Sequence, residues 1–395
     1  MTERIYYTDP YVAEFSARVI ALTTVDDRRA AVLDRTAFYP TSGGQPFDTG
    51  TLGGARVVDV LDRDDHVILH VFEGDLAEGP VAGRIDWARR FEHMQQHTGQ
   101  HVLSAAFERF CRARTESFHL GAAAATIDLG REVTPADVAL AESEANRVVW
   151  EDRPVTVRFA EPGEVAALPL RKEPARAGRL RLIDVKGFDL SACGGTHVAR
   201  TGAIGNIVIS GSERFRGGTR IEFRCGGRAL ADYRTLRDGV SAARRLLSVG
   251  PGELAAAVER LQNEGRDARR RIEDLQGKLA AHEAAALVDR AAPAGSGRLL
   301  VEILEGWDAA GLKAIASAIV ERPGCAAVLL TATAPVSVVV ARAADVALDA
   351  AGVLRQLIAK FGGKGGGRRE FAQGGGLGGQ PAEIAAVART LTDRS

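Results

Sequence analysis

His97-Thr98-Gly99-Gln100-His101 lies inside a run from 86 to about 112 whose apolar residues recur at helical spacing. Two imidazoles four residues apart on a helix share one face, about 6 Å from each other. Far downstream, Cys193-Gly194-Gly195-Thr196-His197 offers a thiolate and a third imidazole, with two glycines that let the backbone turn tightly enough for both side chains to converge. Four N/S donors suit tetrahedral zinc, and the thiolate excludes hard cations such as magnesium. His93 sits a turn before His97 on the same face and could replace either neighbour. The ligands alone do not reveal the reaction, because catalytic zinc keeps three protein ligands plus water and structural zinc takes four.

Working outward, residues 86–232 read as an α+β domain. Strand-like pieces at 124–129 and 155–160 flank a helix from Pro135 to about Asp152, with Thr134 as N-cap and Pro135 at the first helical position. Further strands are expected at 182–185, 204–210 and 219–225, without regular alternation of helix and strand. Residues 1–85 are β-rich: short runs at 17–23, 30–34, 55–61 and 66–71 are separated by turns and by the Gly- and Pro-rich loop from Phe38 to Gly50. That rhythm fits a small barrel or sandwich. Residues 233–292 are helical. Leu254, Val258, Leu261, Ala268, Ile272, Leu275 and Leu279 follow three- and four-residue steps, with Gly265 filling the one weak position, the seam of a coiled coil or helical hairpin. Residues 293–395 form an α/β domain with strand candidates at 299–304 and 326–331 and the glycine-rich tail Phe361-Gly-Gly-Lys-Gly-Gly-Gly-Arg368.

A chain of 395 residues is long enough for two or three domains. Its formal net charge is zero, so nucleic-acid contacts must come from local basic groups. Arg171, Lys172, Arg176, Arg179 and Arg181 form one such group; Arg214, Arg216, Arg220 and Arg224 another; Lys360, Lys364, Arg368 and Arg369 a third. Four scattered cysteines are not a disulfide framework. No window is apolar enough to span a membrane, and the first residues lack signal-peptide order, so a cytoplasmic location is expected.

His97-Thr-Gly-Gln-His101-Val-Leu-Ser and Cys193-Gly-Gly-Thr-His197, followed by Arg200-Thr-Gly-Ala-Ile-Gly205, resemble the editing domain of alanyl-tRNA synthetase and of the freestanding AlaX-type proteins. Tyr39-Pro-Thr-Ser-Gly-Gly-Gln-Pro-Phe-Asp-Thr-Gly50 is similar to the glycine-rich motif of the long members, and 361–368 resembles the synthetase's C-terminal, DHH-associated domain. The resemblance implies hydrolysis of Ser-tRNA(Ala) and Gly-tRNA(Ala), with zinc on His97, His101, Cys193 and His197 rather than on His93. Because the sequence starts at the editing module, a trans-editing protein without aminoacylation activity is expected. The family's synthetases often carry Gln where this chain reads Thr115-Glu-Ser-Phe-His119.

An editing pocket must hydrogen-bond the serine hydroxyl, so that alanine leaves polar groups unpaired. Thr36, Thr115, Ser117 and His119 are candidates for that contact, and Gln100 for holding a bridging group. Gly43, Gly44 and Gln45 are placed for approach to the tRNA 3′ end, although the glycines equally suit a turn with positive φ. Arg216, Arg220, Lys364 and Arg368 are the expected phosphate contacts. The helical or C-terminal region suggests a homodimer. The competing reading is a non-catalytic tRNA-binding protein with structural zinc. A phosphoesterase, suggested by the tail, lacks its aspartate-rich partner domain.

Overall fold

The computed structural model describes residues 2–63, 67–165, 167–171, 178–291, 293–294 and 297–392, so Lys172 and Arg176 lie outside the described residues. The chain forms two compact units, Met1–Ala243 and Arg244–Ser395. Among the described residues no helix is long and apolar enough to cross a membrane.

The first unit opens with a closed antiparallel barrel. Its strands are β1 (Glu14–Val25), β2 (Arg28–Leu33), β3 (Gly50–Leu52), β4 (Ala55–Asp62), β5 (Ile68–Glu73) and β6 (Gly79–Ile85), in the order β1-β2-β5-β4-β3-β6. Closure of β6 onto β1 leaves no free sheet edge. Alternate residues such as Val19, Leu33, Val57, Val60 and Phe72 fill the interior. The glycine-rich stretch stays irregular, and Gly43 and Gly44 both take positive φ (55° and 84°). Both ends of this loop are held together, with Tyr39 N donating to Asp48 Oδ2 at 2.7 Å and Asp48 N to Tyr39 O at 3.0 Å.

Helix α1 (Trp87–Cys111) follows, with Asp86 as N-cap accepting from Arg89 N and Arg112 closing the C-terminus in the left-handed region. It is buried on almost every side from His93 to Phe107. Gly99 is required by packing, since a Cβ there would lie 2.3 Å from Cys225 Sγ. Next come β7 (Thr115–Leu120), β8 (Ala125–Leu129), α2 (Pro135–Trp150), β9 (Val155–Ala160), β10 (Leu180–Val185), β11 (Asp189–Ala192), β12 (Ile207–Phe215) and β13 (Gly218–Cys225). They build a four-stranded sheet β12-β13-β8-β7 and a three-stranded sheet β9-β10-β11. Met94, Leu103 and Phe107 of α1, Val148 of α2 and Ile221 and Phe223 of β13 share one core. Thr134 caps α2 reciprocally with Asp137, as its sequence suggested. The strand expected from 204 starts only at Ile207, because Thr201–Ile204 form a 3-10 turn ended by Gly205 at φ 71°.

The first unit ends within α3 (Gly226–Leu247). In the second unit, α4 (Leu254–Arg290) precedes β14 (Pro293–Ala294), β15 (Gly297–Leu304), α5 (Ala309–Val320), β16 (Cys325–Thr331), β17 (Val336–Arg342), α6 (Ala350–Phe361), β18 (Lys364–Gly367), β19 (Phe371–Leu377) and α7 (Pro381–Thr392). The mixed sheet runs β14-β15-β16-β17-β19-β18. β16 is a continuous apolar run because both of its faces are covered. Val328 and Leu330 meet the core that includes α6 and α7, and Ala327 and Leu329 meet the one that includes α5 and the end of α4. Along the expected seam of α4, Leu261, Ile272, Leu275 and Leu279 are each more than half exposed.

Candidate metal centre and its cavity

α1 supplies His97 and His101, and the turn after β11 supplies Cys193 and His197. One donor atom from each of the four lies within 4.8 Å of all the others. Cys193 Sγ is 3.4 Å from Nε2 of both His97 and His197. His93, although buried one turn earlier, is outside this group, and burial lowers its pKa to about 3.

Each imidazole has its Nδ1 occupied by a second residue. His101 Nδ1 meets Asp189 Oδ2 at 2.9 Å, and the carboxylate can only accept there. Thr98 Oγ1 donates to Met94 O and lies 3.2 Å from His197 Nδ1, so that nitrogen is the donor. Gln45 Oε1 accepts the Thr196 backbone N–H and stands 2.8 Å from His97 Nδ1, which again makes Nδ1 the donor. All three rings therefore present Nε2 to the centre, the arrangement that metal-binding histidines require.

The electrostatics agree. Burial opposes ionisation of Cys193, but the neighbouring imidazoles of His97 and His197 and the hydrogen bond from His101 outweigh it and hold the thiol well below its usual range. Burial likewise opposes protonation of His101, and hydrogen bonds to Asp189 and Cys193 raise it to about 9. Burial holds His197 near 3. A metal entering this set would meet a thiol already biased towards its thiolate.

His97, His101 and Cys193 of the donor group line a cavity of about 240 Å³. The barrel loop contributes Tyr39, Ser42 and Gly43 to its wall, β7 contributes Thr115 to Phe118, and Arg171 and Ser191 complete it. Gln100 also lines it, with Nε2 donating to Ser104 Oγ at 2.9 Å; Thr115 Oγ1 donates to the same oxygen at 2.8 Å. Ser117 donates to Asp128 Oδ2 at 2.6 Å.

Thus Gln100, Thr115, Ser117 and Gly43 come together with the four donors. Thr36 does not line the cavity. It is buried in the barrel with its hydroxyl 2.8 Å from His70 Nε2. His119 is exposed and Gly44 stands behind the wall, its carbonyl accepting from Leu120 N. Gln45 is fully buried behind His97. Arg220 pairs with Asp128 at 2.7 Å and stacks on Phe215, which Arg216 also approaches. Lys364 and Arg368 belong to the second unit, where Lys364 lines a separate glycine-rich cavity.

Asp189, Thr98 and Ser104 were missed at the level of sequence. Asp189 had a signal: in a strand, residues 189, 191 and 193 point to one face, so a carboxylate precedes the cysteine on its own side. Thr98 is on the helix beside a ligand, where only tertiary structure brings His197 to it.

The family model for the second additional domain of threonyl and alanyl tRNA synthetases matches residues 180–222, and the DHHA1 domain matches 296–393. The alanyl-tRNA editing protein AlaX-L of Pyrococcus horikoshii is 32% identical, covering 95% of this chain and 94% of that protein. The chain belongs to the AlaX-L family of alanyl-tRNA editing proteins. In this AlaX-L family member, the matched segment 180–222 contains Asp189, Cys193 and His197. The alanine–tRNA ligases of Pyrococcus abyssi and Methanoregula boonei are 35% and 34% identical over 94% and 95% of the chain. The chain spans 42% of the length of each of these ligases.

Proposed function

We propose that this chain hydrolyses the aminoacyl ester of mischarged tRNA(Ala), Ser-tRNA(Ala) foremost and Gly-tRNA(Ala) second, at a zinc centre on His97, His101, Cys193 and His197. One observation carries the proposal: four N/S donors, three of them imidazoles with Nδ1 already occupied, cluster together, and His97, His101 and Cys193 of that cluster line a cavity. The two sulfur–nitrogen separations support zinc. Bonds of about 2.3 Å to sulfur and 2.0 Å to nitrogen at tetrahedral angles put S and N about 3.5 Å apart, against 3.4 Å here. Zinc held by these four residues would supply a Lewis acid and a fixed positive charge beside the cavity.

The remaining work falls to the chain's own residues. Gln100 commits one amide N–H to Ser104, and its carbonyl oxygen can accept from a substrate ammonium or hydroxyl. Thr115, anchored on the buried Ser104, supplies a hydroxyl that a serine side chain can join and an alanine methyl cannot. Ser42 and Gly43 wall the opposite side, where the backbone can approach the terminal ribose. Arg216, Arg220, Lys364 and Arg368 serve as phosphate contacts in this reading, with Arg220 steadied by Asp128.

The deciding experiment is deacylation of Ser-tRNA(Ala) and Gly-tRNA(Ala), with Ala-tRNA(Ala) as control, by the wild type and by Cys193→Ala. Loss of the serine ester, slower loss of the glycine ester and an intact alanine ester, with both losses abolished in the variant, is the expected result. Intact ester in the presence of bound tRNA and zinc overturns the enzyme reading and leaves an RNA-binding protein with structural zinc.

A further inference from the structure

Gln45 comes from the barrel loop, yet it reaches both segments that carry the metal donors. Its Oε1 receives the Thr196 backbone N–H at 3.1 Å and faces His97 Nδ1 at 2.8 Å, while its Nε2 donates to Thr196 Oγ1 at 2.8 Å. A backbone N–H can only donate, so the amide cannot be flipped, and the oxygen end is fixed towards His97. That contact dictates which nitrogen of His97 carries the proton. Through Thr196 the same side chain ties the Cys193–His197 turn to α1.

The loop that carries Gln45 is itself immobilised. A tight turn joins Ser42 and Gln45, with Ser42 N to Gln45 O at 3.1 Å and the reverse bond at 2.9 Å. Three residues on, Asp48 forms a fully buried ion pair with Arg90, which lies seven residues before His97 on α1. Residues seven apart lie on the same face of a helix, so the loop is fastened to that face at two points, Arg90 and His97. Gly195 completes the fit: a Cβ there would lie 3.0 Å from Gln45 Oε1 and 2.2 Å from His97 Cε1.

We propose that Gln45 is a positioning residue of the metal centre, setting the tautomer of His97 and locking the ligand-bearing turn onto α1. The barrel thereby completes the centre. The inference rests on the metal reading above, and the experiment separates the two. Zinc affinity is measured by competition with a chromophoric chelator, and the visible absorption of the cobalt-loaded protein is recorded, for wild type, Gln45→Met and Gln45→Glu. The methionine keeps the buried volume without an amide; the carboxylate keeps an acceptor for His97 and Thr196 N. Gln45→Met should lose on the order of 10- to 100-fold in zinc affinity and shift the cobalt bands, and Gln45→Glu should restore both, with similar far-ultraviolet circular dichroism throughout. Tight wild-type binding with equal affinity and an unchanged cobalt spectrum in Gln45→Met overturns the role of Gln45 alone. A wild type that takes up no metal overturns the metal reading beneath it.

Discussion

The Asp189 carboxylate receives His101 Nδ1 at 2.9 Å through one oxygen and Arg171 Nε at 2.6 Å through the other, so one buried acid orients both a metal donor and a cation on the cavity wall. Ser191 donates to the same carboxylate. Burial opposes its ionisation, yet His101 and Arg171 hold its pKa below the ordinary value. Asp189→Ala removes both orientations at once. Metal affinity, read by chelator competition, should fall about 10- to 100-fold. An unchanged affinity would show that His101 does not depend on this acid.

Gly195 cannot gain a side chain without moving His97. Gly195→Ala should therefore weaken metal binding at least about tenfold while shifting the thermal midpoint little, since the insult is local to one turn. Isothermal titration with zinc, beside a melting curve, checks this. A large drop in the midpoint with normal zinc uptake would contradict it.

Arg90 and Asp48 are both fully buried, and Arg90 also donates to Pro10 O at 2.7 Å. Removing one member strands the other charge. Asp48→Ala should cost about 3–5 kcal/mol of stability, and Asp48→Ala with Arg90→Met should cost less than the sum of the singles. Urea unfolding of the three variants tests the coupling, and strict additivity would refute it.

His70, inside the barrel, is neutral: burial lowers its pKa to about 4, opposed by its bond to Ala31 O. Its Nδ1 donates to that carbonyl and its Nε2 accepts the Thr36 hydroxyl. Below about pH 6.5 the unfolded chain binds a proton that the folded barrel refuses, so stability falls as pH drops from 6.5 to 4 and this contribution levels off below. The full effect is about 3 kcal/mol. Denaturation between pH 7 and 4 should show a shallower decline in His70→Gln than in wild type; parallel curves would exclude this residue as the source.

The homodimer expected from the sequence is proposed to form through the stripe of α4 that carries Leu261, Ile272, Leu275 and Leu279. Sedimentation equilibrium should give a dimer for wild type and a monomer for Ile272→Glu with Leu275→Glu. A monomeric wild type removes the expectation.

Much of this architecture was legible in the residues. Helical spacing delimited α1 almost to the residue, Thr134 and Pro135 marked the start of α2, and the short β-branched runs of the first 85 residues indicated a small barrel or sandwich. Strands β7 and β11 were not legible, because Thr115–Leu120 is largely exposed and polar and Asp189–Ala192 is only four residues long. Neither offers the alternation by which a strand is recognised.

By itself the sequence determined the chemistry of the donor set: two imidazoles on one helical face and a Cys–His pair around two glycines are local facts, written in spacing. Only the tertiary structure decided what surrounds those donors. Gln45, Asp189 and Thr98 lie 52, 88 and 99 positions from the histidines they hold. Contacts at such separation leave no local periodicity; they exist because the barrel loop and the β11 turn pack against one face of α1. Thr36, close in sequence to the cavity wall, was directed instead into the barrel, where the buried His70 supplied its partner.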